Sequence, residues 1–296
     1  MSKKLGRSLH QPAWMMQARL VRRFLRRLRQ QIRYRRFSLQ GIPILFANSF
    51  PKSGTHLLTQ VLQAFAEIGP AVDSGLAAVV MYEGDAGRLR SEVEIIADLK
   101  RFLPGDIGYG HVHAFPEAVK LLSSPLYATY FILRDPRDVA ISHVHYVTEM
   151  EPRHAHHHLF AHELSTFEER LAATISGVAH AQPPLPSLAE RLKPYLEWCK
   201  EPNVLTIRYE AFFENRPAVL QQILEQALGR GFRLSHTVED ALRVLESHIQ
   251  PQRSPTFRKG GAGGWRQAFT PRHKELFKEY CPGILVELGY EKDENW

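Results

Sequence analysis

Cysteine is nearly absent: the 296 residues include two, Cys199 and Cys281. Two thiols cannot build a disulfide framework, so the fold must rest on a packed core, and the pair reads as structural thiols in a reducing compartment. No apolar run approaches the roughly 20 residues that a spanning helix needs. A cleavable leader is not expected either, because arginines interrupt every apolar stretch near the N-terminus. Acidic residues are missing from one region. Residues 1–37 carry twelve of the 38 Lys and Arg and none of the 31 Asp and Glu. The rest of the chain is net acidic, 26 basic residues against 31, which argues against a nucleic-acid-binding body and predicts no nucleic-acid partner. Nothing is collagenous, repetitive or broadly disordered, and no internal linker divides the chain. What remains, 44% hydrophobic, suits one large α/β domain or two smaller ones. We divide it into a basic N-terminal arm, residues 1–40, and a single domain, residues 41–296.

In the arm, Val21, Phe24, Leu25, Leu28 and Ile32 recur at helical spacing, with Arg22, Arg23, Arg26, Arg27, Arg29 and Arg33 between them. Three readings stay open. The helix packs on the domain with a solvated basic face, or frays. Residues 14–36 lie on an anionic membrane surface, with Trp14 and Phe24 as interfacial anchors. Or the segment binds an acidic polymer or partner. The expected location is cytoplasmic, and in the second reading peripheral on the inner membrane surface.

Beyond the arm, strands and helices alternate. Strands are predicted at 42–47, 107–111, 126–133 and 204–209. Helices are predicted at 55–68, 91–102, 116–122, 137–146, 163–180, 188–199, 217–228, 238–249 and 270–280. Ser91 and Glu94 have capping-box spacing, and Thr270 precedes Pro271 as an N-cap precedes the first helical residue. Residues 71–90 and 250–264 read as irregular. This alternation predicts a central parallel sheet flanked by helices.

Three segments carry the chemistry. The first is Pro51-Lys52-Ser53-Gly54-Thr55, between a buried strand and a helix. Unpaired N–H groups and the helix dipole make a helix N-terminus an anion site, Gly54 admits close backbone approach, and Lys52 adds a full charge. It is not a Walker A loop, because Lys52 precedes the glycine. The second segment places Arg134 at the carboxyl end of a strand, with Ser142 eight residues on. Ligands of open α/β sheets bind at such ends, and an arginine there can grip an anion bidentately; the alternative is an ion pair with Asp135 or Asp138. The third is Arg258-Lys259-Gly260-Gly261-Ala262-Gly263-Gly264-Trp265-Arg266, two cations and a pliable loop whose N–H groups can wrap an anion.

Together these segments resemble the sulfotransferase family that uses 3′-phosphoadenosine 5′-phosphosulfate (PAPS). Its 5′-phosphosulfate loop reads P-K-S-G-T. Its 3′-phosphate segment carries an Arg and a Ser eight residues on. Its late loop reads R-K-G-x-x-G-x-W-K, with Arg266 here in place of the last Lys. The resemblance spans roughly residues 42–290.

It implies a single α/β, P-loop NTPase-like domain that transfers a sulfuryl group from PAPS to an acceptor hydroxyl or amine, with no metal. It implies that Lys52, Ser53, Gly54, Thr55 and His56 hold the phosphosulfate. Arg134, Ser142, Arg258, Lys259 and Gly260 would hold the 3′-phosphate, and Tyr209 would lie near the adenine. The general base would be His111 or His113. His111 is favoured, because the family's strand ends in Gly-His or Thr-His. His56 and Leu57 stand where many members carry an adenine-stacking Trp, and Gly264 replaces an acidic residue. The histidine-rich stretch 143–162 reads as part of an acceptor lid or as a solvated loop, with His158 and His162 as a candidate divalent pair. The acceptor would be a small molecule, lipid or glycan, recognised by residues 71–90 and 149–162. The runner-up function is a P-loop-type kinase or nucleotide-binding phosphotransferase.

Overall fold

Two apolar runs, Ile44–Ser49 and Tyr127–Leu133, are buried at every residue and lie side by side as parallel strands. Alternation divides their side chains between two layers: Phe46 and Phe131 face one core, Leu45, Tyr130 and Ile132 the other. Such runs form where helices cover both faces of a sheet. The computed structural model describes residues 13–84, 87–253 and 260–296.

In chain order the helices are α1 Ala13–Arg33, α2 Thr55–Ile68, α3 Glu92–Leu99, α4 Pro116–Leu122, α5 Pro136–His145, α6 Phe167–Ser176, α7 Leu188–Leu196, α8 Ala211–Glu214, α9 Arg216–Gly229, α10 Val238–Ser247, α11 Trp265–Ala268, α12 Pro271–Tyr280 and α13 Ile284–Glu287. The strands are β1 Ile44–Ser49, β2 Val72–Asp73, β3 Val79–Val80, β4 Tyr82–Glu83, β5 Arg88–Leu89, β6 Asp106–His111, β7 Tyr127–Leu133 and β8 Val204–Arg208. The main sheet runs β2-β6-β1-β7-β8 with every pairing parallel, and β3 continues the β2 edge along β6. The chain leaves β1 toward β2 and leaves β7 toward β8. The connections after these neighbours therefore diverge, and a crevice opens between them at their carboxyl ends, the switch point where such sheets take ligands.

The expected α/β architecture is present, with local shifts. The first strand starts at Ile44 and includes Asn48 and Ser49, whose polar side chains find buried partners at the sheet's end. The helix expected over 163–180 is shorter: Thr166 caps it in a box with Glu169, and Gly177 at φ +80° ends it. The fifth helix begins at Pro136 behind the Asp135 cap and runs on as a π-helical turn, Tyr146–Met150. Residues 71–90, expected to be irregular, contain four two-residue strands, too short to show a period. The capping box at Ser91–Glu94 and the Thr270 N-cap form as their positions suggested, and His273 closes a box with Thr270 that was not foreseen.

The arm is a helix, but its orientation reverses the expectation of a solvated basic face. Arg23 and Arg27 converge on the fully buried carboxylate of Asp106, with Arg27 Nη1 2.6 Å from Oδ1. Arg26 donates to the Asp73 carbonyl, and Gln30 to that of Ala66. The body therefore holds α1 by its polar residues. Phe24 faces outward, 65% exposed, and the Trp14 side chain lies outside the described residues. Asp106→Asn should destabilise the fold by about 1.5–3 kcal/mol, the scale of hydrogen bonds to charged groups, measured by urea denaturation. An unchanged midpoint would mean that α1 contributes nothing to the stability of the body.

Candidate functional site

The crevice at the switch point is a cleft of about 1260 Å³. Its floor is the turn from β1 into α2. Lys52 adopts a left-handed backbone, φ +72°, as does Gly54 at φ +103°. A Cβ on Gly54 would meet Tyr209 Cδ2 at 2.5 Å, so both the turn and the packing of Tyr209 require glycine there. No side chain caps α2 among the described residues, which leaves its first N–H groups for a ligand. Ser53 is fully buried, and its Oγ has no partner among the described residues. The Thr55 hydroxyl is held 2.6 Å from Ser49 Oγ.

Lys52 leans over the Tyr146 ring, with Nζ 3.9 Å from its centroid. Burial first, and the Arg134 charge second, push its pKa down to about 8. It makes no ion pair among the described residues. A cation held this way is stabilised by an incoming anion.

Across the crevice, Arg134 follows β7 and lies 4.5 Å from the Tyr209 ring centroid. Its Nη2 donates to the Gly261 carbonyl at 3.0 Å, while the buried Nε has no partner among the described residues. Asp135 does not pair with it. That carboxylate caps α5 and grips Arg137, which stacks 3.5 Å from the Trp265 ring. Asp138 lies 3.6 Å from Arg134, but its strong bonds are to the backbone N–H groups of Gly263 and Trp265, at 2.7 and 2.9 Å. Asp135 and Asp138 thus fasten the late glycine loop to the start of α5.

His111 and His113 share a mount. Val112 between them is buried, and its N–H and C=O are both engaged by the Asn48 amide, at 2.8 and 3.0 Å. The Trp198 indole also donates to that carbonyl at 2.8 Å. Strand alternation turns the flanking histidines to one side, and both line the cleft. Burial pushes both imidazoles down to about 4, so both are neutral at pH 7. They differ in neighbours. His111 Nδ1 lies 3.0 Å from Ser49 Oγ and 3.1 Å from the Ser49 carbonyl, and the ring feels the charges of His56 and Lys52. His113 makes no such bond among the described residues and packs edge-on against Tyr195 and Tyr82, at 4.8 and 6.2 Å.

Of the residues that the sequence nominated, Lys52, Gly54, Thr55, His56, His111, His113, Arg134, Ser142, Tyr209 and Gly260 all line this one cleft, with Ser53 beneath it. Arg258 and Lys259 lie outside the described residues. Sequence reasoning missed Tyr146, Asn48 and the half-exposed Phe213, whose ring is 5.2 Å from Tyr209, and it named Asp138 only as a partner for Arg134, not as the anchor of the glycine loop. Only Phe213 left a local signal, as an aromatic residue one helical turn beyond Tyr209. The other end of the cleft is walled by Val80–Gly84, 151–156, Pro183–Pro186 and Tyr195. There His156 donates to the Pro183 carbonyl and His157 to that of Val147, which fastens the histidine-rich stretch. His158 and His162 rings lie 5.2 Å apart, and no third ligating side chain joins them among the described residues.

An elongated anion, charged at two places, fits this geometry. The uncapped helix end and Lys52 offer one seat, and Arg134 with the glycine loop offers another. Among the described residues Ser53 Oγ and Arg134 Nε find no partner, which leaves both seats open to a ligand.

Comparison with known proteins points the same way. Residues 44–289 match the model of the sulfotransferase domain family. Among solved structures, a mouse sulfotransferase complexed with PAP is similar at 20% identity and a TM-score of 0.56, over 84% of this chain and 87% of that one. Retinol dehydratase in complex with retinol and PAP is similar at 16% identity and a TM-score of 0.54, over 83% of each chain. Its complex with androsterone and inactive cofactor PAP gives 17% and 0.54 over the same shares. At such identities the likeness is one of fold.

Proposed function

This chain belongs to the sulfotransferase family, and from that premise we propose that it transfers a sulfuryl group from PAPS to a hydroxyl or amine of a small-molecule, lipid or glycan acceptor. The observation that carries the reading is the pair of cationic seats on the two sides of the β1–β7 crevice. In the first seat Lys52, His56 and the N–H groups of Gly54 and Thr55 hold the 5′-phosphosulfate, over the Ser53 hydroxyl. In the second, Arg134, Ser142 and Gly260 hold the 3′-phosphate, and Arg258 and Lys259 complete the loop in this reading. Tyr209 and Phe213 form an aromatic end for the base, in place of the tryptophan absent at His56-Leu57. When bound, PAPS supplies the sulfuryl group, whose S–O bond to the 5′-phosphate breaks as one to the acceptor forms.

The side chains then divide by position. In an in-line displacement the entering and leaving oxygens lie on opposite sides of sulfur, by analogy with phosphoryl transfer. His111 touches the floor loop through Ser49 and belongs to the leaving side. His113 stands among Tyr82 and Tyr195, beside the loops that wall the far end, and belongs to the entering side. The family resemblance favoured His111 as the base. The surroundings support His113, which takes the acceptor proton while His111 steadies the transferred group. Lys52 and the α2 dipole neutralise the charge that gathers on the leaving phosphate. The segments 80–84 and 151–156 bind the acceptor, the latter as the fastened part of a lid.

Transfer from radiolabelled PAPS to an acceptor library tests the assignment, with and without EDTA. Sulfated product that is insensitive to EDTA is expected; no product from PAPS, with magnesium-dependent phosphorylated product from labelled ATP, would return the phosphotransferase alternative. Arg134→Ala should weaken PAP binding about tenfold or more, the worth of one charge-assisted bond, read by titration calorimetry. Binding equal to wild type would remove Arg134 from the second seat.

A further inference from the structure

Helix α1 meets the body with polar side chains and turns its apolar ones away. Val21, Phe24, Leu25, Leu28 and Ile32 are between 41% and 70% exposed. At 3.6 residues per turn these five occupy an arc of roughly 100°, on the side opposite Arg23, Arg26 and Gln30, which bond the body. A helix that packed on its own domain for stability would bury that stripe. Here two arginines on Asp106 hold the helix, and the stripe is left uncovered among the described residues. Arg22 and Arg29 flank it, exposed and without an ion pair among the described residues.

We propose that α1 seats this protein on the surface of an anionic phospholipid bilayer, with Phe24, Leu28 and Ile32 entering the headgroup boundary and Arg22 and Arg29 meeting lipid phosphates. Charge decides among the occupants. Residues 1–37 contain twelve basic residues and no acid, so a second copy docked stripe to stripe would bring two like-charged rows together. An anionic interface both covers the apolar arc and neutralises its flank. No described helix is long and apolar enough to cross a membrane, and the 21-residue α1 lies along the surface instead.

The attachment also has a direction. The α1 partners Asp106, Pro104 and Ala66 lie at the amino-terminal end of the sheet. The cleft lies at the carboxyl ends, roughly 20 Å away for strands of this length. The docked enzyme therefore keeps its cleft open to solution, and the inference does not depend on which reaction occurs there.

Sedimentation of the full-length protein with vesicles is the test. Phosphatidylcholine vesicles containing phosphatidylglycerol should bind it about tenfold or more tightly than phosphatidylcholine alone, and added salt should weaken the binding. Phe24→Glu with Leu28→Glu should abolish the preference while leaving the melting temperature and PAP binding unchanged. Equal binding to both vesicle types would overturn the proposal, as would undiminished binding by the double variant. A wild-type dimer that the double variant converts to monomer would overturn it in favour of a second copy.

Discussion

His113→Ala should lower turnover about 10²–10⁴-fold, the worth of a positioned general base. His111→Ala should cost only about tenfold, the scale of one ordinary hydrogen bond to the transferred group. Sequence order cannot separate them. They are two residues apart, on the same side of one strand end, and equally neutral at pH 7 because burial pushes both down to about 4. The separation comes from what each ring faces: His111 the Ser49 end of the floor loop, His113 the aromatic pair Tyr82 and Tyr195. Single-turnover rates with both variants decide it. The opposite ordering, with His111→Ala the slower enzyme, would hand the proton to His111.

Lys52→Ala should lower turnover about 10²–10³-fold, the range for one lost donor aimed at developing charge. The free enzyme's pH profile carries the same information. The histidine base gains its lone pair as pH rises through about 4, and Lys52 loses its proton as pH rises through about 8. kcat/KM should therefore climb through the first value, hold a plateau, and fall through the second. In Lys52→Arg the alkaline fall should vanish, because a guanidinium keeps its charge in this range. A fall that persists in Lys52→Arg would assign the alkaline limb to another group. Turnover in Lys52→Ala equal to wild type would remove the lysine from the chemistry.

Part of the site was legible because it is local. In Pro51–Thr55, one glycine and one lysine at the end of an apolar run define a strand, a left-handed turn and a helix start. The helix that follows is the predicted one, Thr55–Ile68. Arg134 was legible for the same reason, as the first polar residue after seven buried ones. The partner of Arg134 was not. Asp135 and Asp138 were both candidates by spacing, and neither is its main partner. Asp135 turns to Arg137, and Asp138 binds the backbone N–H groups of Gly263 and Trp265, more than a hundred residues away. Tyr146 beneath Lys52 escaped notice because a π-helical turn re-aims the end of α5, which no propensity marks.

The amino-acid order by itself determined the alternation of strands and helices, the helix-end anion seat with its lysine, the arginine at the neighbouring strand's end, and a basic amphipathic segment ahead of them. Each depends on a period, a turn rule or a cap that acts within a few residues. Only the tertiary structure decided that the segments around Lys52, Arg134 and Gly260 line one crevice, that the ring of His113 and not of His111 stands beside Tyr82 and Tyr195, and which face of α1 is free. Those depend on contacts between distant residues: β1 lying beside β7, Asp138 reaching the glycine loop, and Asp106 drawing in two arginines from some eighty residues upstream. A buried carboxylate takes the nearest cations that packing delivers, and packing is a property of the whole chain.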